Sequence, residues 1–507
     1  MKAAKEGKEA PRGSYIPVML NRHFLNGDAY IMVENAYSIC AKDRCSYEMF
    51  QADLAEQIKL GEVYREGRRL YLTKTWRYES VAAAFLANIL QDNNAACPNF
   101  SGDLDRLGDS FLSEEQCNAV RMALSHRLSV ILGGAGTGKS TLIKKIVEQR
   151  PQGNYVLAAP TGKAAKNLAE KTEKSARTVH SALGLRPNED ALSPVVWENT
   201  SLFVIDEASM LTLELLAGLL TKARKDCRIV LIGDPQQLLS VGSGNVLLDL
   251  LELAIPCTRL QQNFRQKDDA AALYNNVVGF PYLGNGIELR YDESFKMEEM
   301  YAWSAEKALI EEAVRRYQAG ESVQVLSPYN SKTNLSVQAL NKSLRNRLNP
   351  KAPEKKELKV DGMTFRDGDR VMITQNDYEH NCVNGDVGIL HVYDDDPDRP
   401  RYWVALEGAR NPEWIGYGGL HFITLAYAIT VHKSQGSQYD TVLFPVVEGF
   451  TGMLYRNLVY TAISRAKRQV ILYGSKAVLD TAIQKAASPR KSMLVAKTRM
   501  AMLKQAA

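Results

Sequence analysis

The sequence predicts an α/β protein made of two parallel-sheet domains in tandem, with a small β-rich insert in the second. Three observations carry this. From Leu112 onward, short continuous apolar strands ("LSVIL", "YVLAAP", "LFVID", "RIVLIGD", then "VQVLSP", "TVLFPV", "QVILYG") alternate with segments of helical period. That is the pattern of parallel sheets covered on both faces, and seven strands over this length divide into two domains. Between about Asn349 and Phe422 the helical period disappears, and "GDRVMITQND", "GDVGILHVYDDD" and "RYWVALEG" alternate apolar and polar between Gly and Asp. A small antiparallel β unit inserted into the second domain fits that stretch. Finally, a glycine-rich loop joins the first apolar strand to the helix pattern "KSTLIKKIVEQR".

The elements follow in order. Residues 1–13 (MKAAKEGKEAPRG) are charged and small and are expected to be disordered. Over 14–105, a helical stretch at Met49–Leu60, the strand-like "RRLYLTKT" and the helical "ESVAAAFLANIL" suit a small winged-helix-like module. The first α/β domain is expected over 106–265. The second is expected over 266–348 and 423–487, with the insert at 349–422. "SALGLRPNEDALSPVVWENTS" interrupts the first domain. Its turn formers Pro187, Asn188 and Asp190 fit a short protruding hairpin near 184–200, which Trp197 would brace, as well as they fit a plain surface loop. Residues 481–507 carry six basic and no acidic side chains, so the end of the chain (488–507) reads as a solvated basic tail.

At 507 residues the chain is too long for one core. A net charge of +5 permits a nucleic-acid partner without arguing for one. The seven cysteines are scattered; Cys40 and Cys45 are near each other, but no second pair follows at zinc spacing, so reduced thiols are expected. No apolar run is long enough to span a bilayer, and no secretory leader is evident, so a cytoplasmic location is expected.

The chemistry starts at GGAGTGKS (133–140), a G-x-x-x-x-G-K-[ST] run between strand and helix. Gly134, Gly136 and Gly138 let backbone N–H groups approach phosphates, with Thr137 and Thr141 flanking them; the helix N-terminus favours the anion. Lys139 should reach the β- and γ-phosphates of ATP, and Ser140 should bind Mg²⁺. In "LFVIDEAS", Asp206 and Glu207 end an apolar strand, where ligands gather in parallel sheets. Asp206 would hold Mg²⁺ with Ser140, and Glu207 would polarise an attacking water, a role that favours hydrolysis over phosphotransfer. Asp234 and Gln237 in "LIGDPQQL" fall beside the same site, where the glutamine is placed to sense the γ-phosphate. His432 and Ser434 in AITVHKSQGSQYD (428–440) are the residue types of a hydrolase base and nucleophile. No G-x-S-x-G elbow or orienting carboxylate accompanies them, so that reading fails.

GGAGTGKS, APTGKAAKNL (159–168), ARTVHSALG (176–184), VIDEASM, GDPQQL, NFRQ (263–266), AITVHKSQGSQYD and NLVYTAISRAK (457–467) stand in the order of the superfamily 1 helicase motifs. The chain, from about Leu112 to Ser475, resembles the RecD-like branch. The resemblance implies two RecA-like P-loop domains in tandem that clamp ATP between them, an SH3-like β insert, and 5′ to 3′ movement along single-stranded DNA. It implies that Gln116 contacts adenine, and that Arg265 and Arg465 reach the γ-phosphate. Pro160, Thr161, Gly162, Lys163, Thr178 and His180 would hold the DNA backbone. Thr430, His432 and Lys433 would face DNA from the second domain, and Asn384 in NGDVG (384–388) would do so from the insert. Gln435 and Gly436 would lie nearer the nucleotide. Gln438 stands where relatives carry an acidic residue that holds the ribose.

The function implied by the resemblance is that of an ATP-dependent 5′–3′ DNA helicase of repair or recombination, working on single strands and junctions as a monomer, with ATP and Mg²⁺. The alternative is an ATPase subunit of a larger recombination nuclease complex that unwinds little alone. A nuclease would need a separate Asp/Glu/Lys cluster, and none stands apart from these motifs.

Overall fold

The structure is a computed structural model describing residues 15–43, 45–92, 112–149, 154–185, 189–192, 200–262, 271–283, 288–360, 362–377, 382–394, 401–407 and 422–506. The leader over 1–13 lies outside these residues, as do Arg265 and most of the interruption near 184–200, with Trp197.

The N-terminal unit consists of the helices Tyr15–Leu25, Val33–Ala41 and Tyr47–Lys59 around a three-stranded antiparallel sheet. The sheet order is Ile31–Met32, Arg69–Leu72, Val63–Glu66. Ser46 begins the third helix because its hydroxyl accepts the Met49 N–H. The long helix Thr73–Asp92 follows without a break. Expected as part of the N-terminal module, it shares the core of the first α/β domain: Tyr78, Ala82, Leu86 and Ile89 are buried with Leu128, Phe203 and Leu216.

The first α/β domain is a six-stranded parallel sheet. Its order is Ala176–Thr178, Tyr155–Ala159, Leu202–Ile205, Arg228–Gly233, Leu128–Gly133, Cys257–Leu260. Leu128–Gly133 and Arg228–Gly233 are buried at every position, as central strands covered on both faces should be. Their common direction carries Gly133, Pro160, Thr178, Asp206 and Asp234 to one edge. Ligand sites of open α/β sheets form at that edge.

The second α/β domain repeats the plan with five parallel strands, ordered Phe295–Glu299, Ala466–Gly474, Tyr439–Val446, Val323–Ser327, Ala428–Thr430. The insert lies within it as expected. A hairpin, Glu357–Val360 with Met363–Arg366, accompanies an antiparallel sheet ordered Arg401–Leu406, Val387–Asp394, Arg370–Ile373, Ile423–Leu425. Its fourth strand comes from beyond the expected boundary at 422.

The end of the chain corrects the expectation of a solvated tail. Leu494–Ala506 is a helix laid against Thr73–Asp92, with Leu494 and Thr498 buried. Its basic residues are compensated by groups far away in sequence. Lys497 Nζ lies 3.0 Å from Glu79 Oε2 and over the Tyr71 and Trp76 rings. Arg490 donates to the backbone carbonyls of Ser240, Gly242 and Gly244.

Candidate nucleotide and DNA sites

The glycine-rich loop owes its shape to two left-handed residues. Gly136 (φ 86°) and Gly138 (φ 77°) turn the chain so that Gly138 caps the helix Lys139–Glu148. Thr137 Oγ1 donates to Gly134 O at 3.0 Å and closes the loop on itself. Lys139 folds over it, its ammonium donating to Gly133 O (2.7 Å) and Gly134 O (2.8 Å). That places the cation at the mouth of the loop. Ser140 and Thr141 occupy the first turn of the helix behind it.

Asp206 follows the buried strand Leu202–Ile205 and accepts the Glu207 N–H at 2.9 Å. Burial, reinforced by the Glu207 charge, raises its carboxyl from 3.8 to about 6, and Lys139 and Lys171 pull the other way. Glu207 is held at φ 54°, a left-handed conformation uncommon for a side chain of this size. Strain of this kind persists where surrounding structure enforces it. The donor chemistry suits a hard cation: Asp206 offers a carboxylate and Ser140 a hydroxyl, the oxygen ligands that such an ion takes.

Asp234 is buried and its carboxyl raised by that burial. Tyr460, from the helix Arg456–Ser464 of the second domain, donates to Asp234 Oδ2 at 2.7 Å. Its hydroxyl also bounds Gly134, where an added Cβ would lie 3.2 Å away. A cavity of about 230 Å³ opens here, lined by Gly133, Gly134, Thr137, Arg259, Tyr282 and Tyr460. Gln116 sits behind the loop, buried. It completes a capping box with Ser113 and donates to Thr137 O at 3.3 Å.

The two α/β domains meet at Leu238. Its N–H goes to Thr461 Oγ1 (2.9 Å) and its carbonyl to Gln435 Nε2 (3.0 Å), both from the second domain. Neighbouring Gln237 is buried and its Oε1 has no partner among the described residues. Arg465 is buried, with Nε donating to Thr461 O and Nη2 to Ser464 Oγ, each at 3.2 Å. Gly436 and Gln438 stand apart from the loop cavity. Gly436 O accepts from Asn167, and Gln438 lines a separate cavity of about 620 Å³ with Lys171 and Arg370.

A second, larger groove of about 1230 Å³ gathers six of the residues expected to hold DNA: Pro160, Thr161, Gly162, Thr178, His180 and Asn384. Thr161 and Thr178 are helix N-caps, accepting from Ala164 N (3.2 Å) and Ser181 N (3.1 Å). Gln375, Asn376, Lys74 and Tyr78, which no motif had singled out, also line it. Lys163 is not among these lining residues; it pairs with Asp386 of the insert at 3.1 Å. Thr430, His432 and Lys433 lie at the end of the edge strand Ala428–Thr430, where Thr430 Oγ1 accepts the Lys433 N–H at 3.2 Å.

Comparison with known proteins agrees with this geometry. Residues 111–277 match the AAA domain family, 340–405 the SH3 domain of ATP-dependent RecD-like DNA helicases, and 425–473 the UvrD-like helicase C-terminal domain. The RecBCD enzyme subunit RecD of Mycolicibacterium smegmatis is 31% identical over 479 residues, which is 83% of this chain and 81% of that one. The chain belongs to the RecD-like helicase family. The RecD subunit of Mycobacterium tuberculosis is 30% identical over 83% of this chain and 79% of its own. The ATP-dependent RecD2 DNA helicase of Deinococcus radiodurans is 31% identical over 93% of this chain, which spans 63% of that relative's length. A Pif1 helicase studied at forked double-stranded DNA superposes with a TM-score of 0.44 at 19% identity, covering 72% of this chain and 92% of that one.

Of the RecD-like features expected from the sequence, the β-rich insert and the paired α/β domains are both present. No described helix is long and apolar enough to cross a membrane.

Proposed function

We propose that this chain is an ATP-driven motor that moves 5′ to 3′ along single-stranded DNA and separates duplex ahead of it. The observation that carries the reading is the groove at Pro160–Gly162, Thr178, His180 and Asn384, coupled to the phosphate loop through contacts between the two α/β domains. Lys139 neutralises the β- and γ-phosphates. Ser140 and Asp206 would hold Mg²⁺, which would supply positive charge against the phosphates. Glu207 accepts a proton from the attacking water. Gln237 senses the γ-phosphate, and Arg265 and Arg465 complete the cleft as it closes. Gln116 orients the adenine by way of the loop it buttresses. Uncharged groove groups and backbone N–H donors hold the strand, a recognition of backbone rather than sequence. The protein acts as a cytoplasmic monomer.

The test is unwinding of duplexes carrying either a 5′ or a 3′ single-stranded tail. Strand separation from the 5′ tail, abolished by Lys139→Ala, is expected; unwinding from the 3′ tail alone would reverse the polarity. A second reading, a motor subunit that unwinds little by itself, is favoured by the fuller coverage of the RecD subunits than of the Deinococcus helicase. DNA-stimulated ATP hydrolysis without unwinding by the purified chain would support that reading.

A further inference from the structure

Lys163 and Lys166 lie on one face of the helix Gly162–Thr172 in the first α/β domain. Both turn toward one carboxylate, Asp386 of the insert, at 3.1 and 3.2 Å. The Asp386 side chain is only 2% exposed, and its Oδ2 also accepts the Val383 N–H at 3.2 Å. A carboxylate so enclosed requires its partners, because removing one leaves an uncompensated charge. The approach is close along its whole edge. An added Cβ on Gly162 would meet Val383 Cβ at 2.5 Å and Asn376 Oδ1 at 2.7 Å. Glycine there is what allows the insert to seat on the helix N-terminus.

This contact joins two parts of the molecule that otherwise face each other across the DNA groove. Pro160, Thr161 and Thr178 form one wall, and Gln375, Asn376 and Asn384 of the insert form the other. Asn384 is held in place by its N–H, which donates to Asn376 Oδ1 at 2.8 Å. The geometry points to a clasp: Asp386 with Lys163 and Lys166 closes the insert over the groove, so that a single DNA strand is enclosed rather than laid in an open channel. The inference rests on the reading of the groove as the DNA track. It assigns Gln375 and Asn376 as strand-facing amides, and it gives the two lysines a role in holding the enclosure instead of binding phosphate. A strand without ends then enters only when the ion pairs part.

Topology provides the test. In a background with Cys45, Cys97 and Cys257 changed to serine, Lys166→Cys and Asp386→Cys are joined by a short bis-maleimide after loading on single-stranded DNA. The complex is then challenged with high salt, which dissolves phosphate contacts but leaves a topological link. The linked protein should remain on a circular strand and leave a linear strand of equal length, with retention differing at least tenfold. Linking before DNA is added should prevent loading on the circle alone. Equal release from circle and line would overturn the clasp. As a second variant, Asp386→Ala without linker should shorten the lifetime on the circle about tenfold or more, and an unchanged lifetime would count against the clasp as well. If the unlinked protein binds neither form, it is the DNA reading itself that fails.

Discussion

Glu207 shows how much one residue's setting decides. Its backbone is left-handed, and its N–H is held by the Asp206 carboxylate. Glu207→Gln keeps that shape and removes only the base, so nucleotide should still bind while turnover falls about 10²-fold or more. Single-turnover hydrolysis measures this, and a normal rate would assign the water to another group. Asp206 sets the pH response. Raised to about 6 by burial, it binds a proton more readily folded than unfolded. Its stability contribution is therefore present below the ordinary 3.8 and lost as pH rises through about 6. Binding of Mg²⁺ needs the ionised form and should run the other way: the Mg²⁺ concentration that half-saturates turnover should rise as pH drops through about 6, and Asp206→Asn should abolish turnover at every pH. Lys139 and Asp206 were legible because phosphate chemistry demands those residue types at that spacing. Tyr460 was not, although it lies in NLVYTAISRAK, because a buried aromatic on a helix reads as core until its hydroxyl is seen on Asp234. Tyr460→Phe should fold, leave the Asp234 carboxylate one donor short, and lower ATP turnover about tenfold, about 1.4 kcal/mol. Steady-state ATPase with and without the hydroxyl measures it.

The tail helix Leu494–Ala506 is the element the sequence misrepresented. Six basic side chains without an acidic one imply solvent only if their partners are local. Here the partners are Glu79, on the helix Thr73–Asp92, and the carbonyls of Ser240–Gly244, which only the tertiary fold brings near. Asp249 and Glu79 share the Ser492 hydroxyl at 3.0 and 3.2 Å, and burial lifts Asp249 from 3.8 to about 7. Because the folded value is the higher, protonation stabilises the docked tail. That stability is complete below 3.8 and is lost as pH rises through about 7. Asp249→Asn should lack this pH dependence, so the difference in stability between the two proteins should change by up to about 1.4 kcal/mol per pH unit over that window. Urea melts at pH 5, 6, 7 and 8 measure it, and parallel curves would place the proton elsewhere. Lys497→Ala should cost about 3 kcal/mol by stranding the fully buried Glu79. Restoring most of that loss with Glu79→Gln would confirm the pair as its source.

At the scale of the whole molecule, two parallel sheets and an antiparallel insert were legible, because strand texture is a local property of sequence. Which residues face one another across the domain boundary is not local. Gly436 and Gln438 illustrate this: the motif order aligns them with a nucleotide site, while the fold sets them against the helix Gly162–Thr172 and a separate cavity. Gln435, their neighbour, reaches the first domain at another place, the carbonyl of Leu238. Leu238 directly follows Gln237, and both its backbone groups are held by the second domain, one by Thr461 beside Tyr460 and one by Gln435 close to His432. Under the proposed function, a shift of the second domain on DNA therefore pulls on the chain next to Gln237, the residue proposed to sense the γ-phosphate. Gln435→Ala frees the Leu238 carbonyl and leaves the Thr461 bond in place, so the domains stay joined, there and through Tyr460 on Asp234, with one of the two links to Leu238 cut. The ratio of DNA-stimulated to unstimulated ATP hydrolysis should fall about tenfold, with single-strand affinity changed by less than about threefold, because a coupling energy of ~1.4 kcal/mol is lost and no DNA-facing group is touched. An unchanged ratio would show that the signal does not pass through the Gln435 bond.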